Sequence, residues 1–124
     1  MTADQIEITV RTRYLPGQSE PEASRYAFAY TITIRNRGDE PVQLLYRHWL
    51  IVDGNNKELR VSGAGVVGET PVIAPGAYYE YTSGTQLDTA VGIMQGSYDM
   101  VTAGGVTFSA PIPPFSLALP GALH

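Results

Sequence analysis

Apolar and polar residues alternate along most of this chain. In residues 5–14, QIEITVRTRY, Ile6, Ile8 and Val10 share one face, while Glu7, Thr9 and Arg11 share the other. A period of two with one polar face predicts a half-buried strand. The next stretch, LPGQSEPEAS, is rich in Pro, Gly and small polar residues and predicts a surface loop. Alternation resumes in RYAFAYTITIRNRG, where Tyr26, Phe28, Tyr30, Ile32 and Ile34 fall together opposite Ala27, Ala29, Thr31, Thr33 and Arg35. VQLLYRHWLIVD is apolar on both faces: Leu45, Arg47, Trp49 and Ile51 lie on one, Val42, Leu44, Tyr46, His48, Leu50 and Val52 on the other. Such a strand is predicted to be central in its sheet and covered on both sides. DGNNK supplies turn chemistry, and KELRVSG is predicted to pair back as a hairpin. AYYEYTSGTQL is a further strand. DTAVGIMQGSYDMVT is predicted to open with a single helical turn and to end as a strand. VTFSAPIPPFSLAL is a last strand that its prolines push to a sheet edge.

About seven strands at regular spacing, with no convincing helix, predict an all-β, two-layer antiparallel sandwich of the immunoglobulin or fibronectin type III kind. A small closed barrel is the alternative. Thirteen glycines and nine prolines in 124 residues punctuate the chain in keeping with short strands. The length suits one domain with one core. A net charge of −4 gives no electrostatic basis for broad nucleic-acid or anionic-membrane binding. With no cysteine, a disulfide framework, a thiolate metal site and a thiol nucleophile are all excluded. No apolar run approaches the ~20 residues that span a bilayer, and the N-terminus lacks a basic region followed by an apolar stretch. The expected location is the cytoplasm.

Gly63, Gly65 and Gly68 form a G-x-G-x-x-G. In dinucleotide-binding domains this pattern leads into a helix whose N-terminus holds a pyrophosphate. Here Pro71 and Pro75 follow, with Val72 and Ile73 between them, so no helix is expected and the dinucleotide reading fails on context. An anion-binding nest of backbone amides, assisted by Arg47 or Arg60, survives as a weaker reading. The preferred reading is that these glycines shape the chain between strands. Arg47 shares a face with Trp49 and Ile51 and needs acceptors. Either it pins the glycine loop through backbone carbonyls, which is preferred, or it faces a ligand at the sandwich rim.

Tyr78, Tyr79 and Tyr81 put aromatics on both faces of one strand. The set left exposed would suit protein recognition; ordinary cross-strand packing is the alternative. His48 and His124 lie in no metal-binding spacing, and the carboxylates are dispersed, so no metal ligand and no cofactor is assigned. Ser62, Ser83 and Ser97 have glycine neighbours, yet only His48 could serve them as an internal base and no nucleophile elbow is present. No catalytic residue is assigned.

Residues 41–100 resemble the ApaG family (DUF525). The resemblance rests on Arg47-x-Trp49-x-Ile51-x-Asp53, on Val61-x-Gly63-x-Gly65-Val66-Val67-Gly68, and on Pro71 and Pro75-Gly76. It continues through Tyr81-x-Ser83-Gly84, Leu87 and Gly92-x-Met94-x-Gly96-x-Tyr98, with Asn36 in the earlier turn. The match runs nearly end to end, so residues 1–124 are expected to form a single ApaG domain with loose termini at 1–4 and 118–124. One departure is Ala90, where a proline is typical of the family; a local change in that loop is expected. The resemblance implies a fibronectin type III-like sandwich. It also implies a gene neighbourhood with a diadenosine-tetraphosphate hydrolase, a genetic link in enterobacteria to cobalt tolerance and magnesium efflux, and similar domains within eukaryotic F-box and polymerase-associated proteins. It brings no catalytic residue.

Taken with the residues, this predicts a non-catalytic module that binds an unidentified protein partner through loops, an edge strand and exposed tyrosines. Neither nucleic acid nor membrane is an expected partner, and homodimerisation through an edge strand stays open. The alternative is nucleotide or polyphosphate binding at Gly63–Gly68 with Arg47 or Arg60; an uncharacterised hydrolase ranks last.

Overall fold

The computed structural model describes residues 3–121. Eight strands build two antiparallel sheets. The strands are β1 (Ile6–Tyr14), β2 (Tyr26–Asn36), β3 (Val42–Asp53), β4 (Glu58–Ala64), β5 (Val72–Ile73), β6 (Tyr78–Leu87), β7 (Val91–Thr102) and β8 (Thr107–Ala118). The three-stranded sheet has the order β1-β2-β6. The five-stranded sheet has the order β4-β3-β7-β8, with β5 paired to the start of β3. Among the described residues the only helical pieces are short 3-10 turns at Ala3–Gln5, Pro16–Gln18 and Pro21–Ala23. The last two sit in the predicted loop, each opened by a proline whose fixed φ suits a helical first position.

The inner face of the smaller sheet is the alternation read from the sequence. Phe28, Tyr30, Ile32 and Ile34 are buried, and Ile34 and Ile32 pair with Ile8 and Val10 of β1. Full burial of Ile32 and Ile34 stabilises the fold by roughly 2 kcal/mol each. From the larger sheet, Leu44, Trp49, Ile51, Met94, Tyr98 and Met100 face them. Trp49 sits in an aromatic cluster, with Tyr30, Phe115 and Tyr98 rings 5.5, 5.9 and 6.4 Å away in edge-to-face arrangements.

Three expectations need correction. Leu45 does not share the core face with Trp49 and Ile51. A β-bulge places Leu45 as an extra residue between the Leu44–Met100 and Tyr46–Asp99 pairs. The bulge reverses parity, so Val42 and Leu44 are buried before it, and Trp49, Ile51 and Asp53 after it. The outer face of β3 is also not covered: Tyr46 is exposed and His48 and Leu50 are half-buried. Finally, no helical turn opens the segment from Asp88; three bends lead directly into β7. The eighth strand, β5, pairs only Ile73 with Val42 and Val72 with Gln43.

β8 lies at the sheet edge and carries its own bulge around Pro113 and Pro114, where Met94 pairs with Phe115 and Gly96 with Ile112. Edge positions and bulges are where prolines do least damage to a ladder. Of the termini expected to be loose, Met1, Thr2 and residues 122–124 lie outside the described residues. Ala118 still pairs with Val91, and the Leu119 amide donates to Ala90 O at 3.2 Å, so the sheet extends into that range.

Asn36, at the end of β2, is fully buried and joins two loops. Its Nδ2 donates to Glu40 O and Ile73 O at 2.8 and 2.9 Å, and its Oδ1 accepts from the Gly38 amide at 2.9 Å. A buried amide with all these bonds satisfied fixes one chain path.

Candidate functional site

The sandwich is closed on one side and open on the other. The edges of β1 and β8 pack together. On the opposite side the edge strands are β4 in one sheet and β6 in the other. Between them runs a cleft formed by two adjoining hollows of about 200 and 120 Å³. Its floor is Tyr30, Trp49 and Ile51. One wall is Leu59 and Val61 of β4, and the other is Ser83, Gly84 and Thr85 of β6. Leu59 is 52% exposed although it pairs with Ile51 and shares its inward parity, because no strand of the smaller sheet covers it. Lys57 and Asp88 close the far end with a 3.0 Å ion pair. Asp53 shapes that end, its Oδ1 accepting the amides of Asn55 and Lys57.

Arg47 stands at the other end of the cleft. Its Nη1 donates to Ala64 O and Gly65 O, each at 3.0 Å, so the guanidinium pins the start of the glycine loop. It lies flat against Gly63: a Cβ there would stand 2.9, 3.0 and 3.1 Å from Nη2, Nη1 and Cζ. The first glycine of the motif therefore makes room for Arg47. The second, Gly65, has φ +62°, donates its amide to Leu45 O, and would overlap the Glu69 carbonyl if it carried a Cβ. The third, Gly68, follows Val67 in a two-residue hairpin closed by reciprocal Val66–Glu69 amide-to-carbonyl bonds. Val67 and Gly68 have φ of +44° and +82°, as a primed turn demands. That conformation is strained for a β-branched side chain.

The amides of Gly65, Val66 and Glu69 are thus bound to carbonyls of the chain. Only those of Val67 and Gly68, at the turn tip, meet no acceptor among the described residues. Arg60 does not join Arg47. It points from the outer face of β4 opposite Leu50 and pairs with Glu58 at 3.5 Å, whereas Arg47 faces inward opposite Gly63. The constellation of Arg47, Arg60, Gly63, Gly65 and Gly68 is not assembled as one site.

The tyrosines divide by parity. Tyr78 is 57% exposed, and the Arg35 guanidinium lies 5.1 Å from its ring centroid. Tyr79 is half-buried, with its hydroxyl donating to Glu69 Oε2 at 3.4 Å. Tyr81 is buried and cannot serve as a docking residue, since its hydroxyl bonds that of Tyr98 in the core. Burial pushes the Tyr81 phenol far above its ordinary value of 10.0, with the Tyr98 bond and nearby Arg47 partly offsetting it. Burial raises Tyr98 too, and Tyr81 adds to that shift.

Both phenols favour the neutral form when folded, so their folded pKa values exceed the unfolded one. The stability they contribute is complete below pH ~10 and declines as pH rises beyond it. In an ultraviolet titration of the native protein, Tyr81 and Tyr98 should stay un-ionised at pH about 11, above the ordinary tyrosine value. Uniform titration of all eight tyrosines would contradict their placement.

Of the serines that His48 alone could serve, the structure brings Ser62 to it, and adds Asp99, which the sequence did not single out. His48 bonds Ser62 Oγ through Nδ1 at 2.9 Å and Asp99 Oδ2 through Nε2 at 2.7 Å. The three residues come from β4, β3 and β7 and meet because His48 pairs with Ser62 across one ladder and lies beside Asp99 across the other. Their order resembles a hydrolytic triad, but such a triad needs a buried carboxylate and donors for an oxyanion. Here His48 and Asp99 side chains are 43% and 45% exposed on an open sheet face. Among the described residues no group of three or more His, Asp and Glu side chains is placed to hold a metal ion, and no helix is long and apolar enough to cross a membrane.

The DUF525 family, described as the ApaG domain, matches residues 16–102. Protein ApaG of Pseudomonas aeruginosa is 59% identical over 123 residues, covering 99% of this chain and 98% of that protein. Protein ApaG of Shewanella sediminis is 55% identical over 121 residues, covering 98% and 96%. A crystal structure from Bordetella pertussis superposes with a TM-score of 0.91 at 46% identity, covering 94% of each chain. An X-ray structure of a structural-genomics target superposes with a TM-score of 0.93 at 53% identity, covering 98% of this chain and 92% of the other.

Proposed function

The chain belongs to the ApaG (DUF525) family, and from that premise we propose that it is a non-catalytic binding module whose β4–β6 cleft receives an extended segment of a partner protein. The observation that carries this reading is the open side of the sandwich. Two unpaired strand edges flank an apolar floor, with Leu59 left uncovered. A free edge offers main-chain donors and acceptors to an added strand, and alternate side chains of that strand fill the hollows between the sheets. The two hollows lie end to end beside the strand edges, which suits an extended chain segment. A wider depression lies on the outer face of the smaller sheet, where the cross-strand pairs Arg11–Glu80 and Thr31–Thr82 tie up part of its lining. On this reading the module works in the cytoplasm, and the family's link to cobalt and magnesium runs through its partner.

A photo-crosslinking residue tests the reading in cells that make the protein. Placed at Leu59 or Thr85 it should give a discrete protein adduct that is absent when it is placed at Val106, which is equally exposed on the β7–β8 turn. An adduct of twice the chain's mass would make the partner a second copy. Equal adducts at all three positions, or none at Leu59, would sink the cleft reading.

A further inference from the structure

Arg47 says what kind of segment the cleft takes. A guanidinium carries donors on Nε, Nη1 and Nη2. Nη1 is held by the Ala64 and Gly65 carbonyls. Nε and Nη2 have no acceptor among the described residues, and no ion pair there includes Arg47. No buried side-chain nitrogen of the described molecule lacks a partner, so both nitrogens open to the solvent of the cleft that Arg47 lines. The guanidinium is also preorganised, flat on Gly63 and fixed along one edge. An arginine held in this way has lost its side-chain freedom before a ligand arrives, and its planar donors match a carboxylate.

The positive charge at the opposite end, Lys57, is already paired with Asp88. Along the inner face of β3, Arg47, Trp49 and Ile51 follow at intervals of about 7 Å, the repeat of alternate residues in a strand. Gly63, Val61 and Leu59 of β4 stand opposite them in the same order.

We propose that Arg47 is the anion anchor of the cleft and that the bound segment is acidic. An Asp or Glu carboxylate pairs with Nε and Nη2, and the next alternate side chains seat against Trp49–Val61 and then Ile51–Leu59. The proposal rests on the cleft reading above and adds the chemistry of the partner.

Isotope-labelled full-length protein is titrated with acetyl-Thr-Glu-Thr-Val-Thr-Leu-Thr-amide, with the same peptide in reversed order, and with both after a Glu→Gln exchange. Pyrophosphate is titrated separately. The signals followed are Arg47 Nε–H and the amides of Val61, Ser83 and Thr85. A glutamate peptide should bind about tenfold tighter than its glutamine counterpart, the advantage that a charge-assisted pair gives over a neutral one. Arg47→Met should abolish that advantage, and Arg47→Lys should restore only part of it. Because the Glu/Gln comparison is made on the unaltered protein, it stands even where a variant folds poorly. Equal binding of both peptides in the cleft would overturn the anchor and leave the cleft reading intact. Shifts of Arg47 by pyrophosphate alone would make it a small-anion site and overturn the acidic segment. No shifts with any probe at millimolar concentration would overturn both.

Discussion

Gly96→Ala is expected to destabilise the protein by about 3 kcal/mol, the upper range for forcing atoms into a closed core, and to lower its melting temperature by roughly 10 °C. Gly96 pairs with Trp49 in the middle of the β3–β7 ladder. A Cβ built there overlaps the His48 carbonyl oxygen and stands 3.2 Å from Trp49 Cα. Both obstacles are backbone, so no rotamer change relieves them. The strands must part where β3 and β7 join the two halves of the larger sheet. The same methyl group at the exposed hairpin between β7 and β8 meets nothing closer than 3.8 Å at Gly104 and should cost far less. Parallel urea denaturation of the two variants, followed by far-ultraviolet circular dichroism, measures the contrast. A Gly96→Ala variant within about 0.5 kcal/mol of the parent would show that β3 and β7 do not approach this closely.

Trp49→Ala should cost about 3–5 kcal/mol, the range for deleting a large aromatic side chain from a core. Trp49 is 5% exposed and touches both layers: Tyr30 comes from the smaller sheet, Tyr98 and Phe115 from the larger. Removing the indole opens a void beneath the cleft floor as well as deleting apolar burial. Trp49→Phe keeps most of the area and should cost markedly less. Circular dichroism must report the transition, because Trp49 is the only tryptophan of the chain and its loss removes the fluorescence signal. Equal costs for Ala and Phe would mean that something other than lost packing dominates.

The strands were legible wherever one face was apolar and the other polar. Ile6, Ile8 and Val10, and Phe28 through Ile34, carry their burial in local alternation. The parity of Arg47, Trp49 and Ile51 was legible too, since the bulge lies before them. The bulge itself was not. Leu44, Leu45 and Tyr46 are all apolar enough for either face, and no glycine or proline marks the inserted residue. In β8 the prolines marked the edge strand, but not the bulge that Pro113 and Pro114 occupy. Tyr78, Tyr79 and Tyr81 showed two faces without saying which one is inner; that depended on the partner sheet. The Ser62–His48–Asp99 contact depends on register across two ladders, and no local pattern fixes register between distant strands. The cleft was illegible for a related reason. It exists because β6 and β4 are edges that do not meet, a property of strand order.

That strand order also governs when the cleft can appear as the chain folds. β3 and β4 are joined by a tight turn, and such a hairpin forms on its own in microseconds. β6 finds its place only by pairing with β2, on the far side of three intervening strands. Long-range pairing of that kind sets the slow, millisecond-to-second step of all-β folding. A growing chain that has reached residue 64 therefore holds one wall, Leu59 and Val61 of β4, with the β6 wall still to come. Until the second wall docks, that surface is open to any strand, including one from a neighbouring nascent copy.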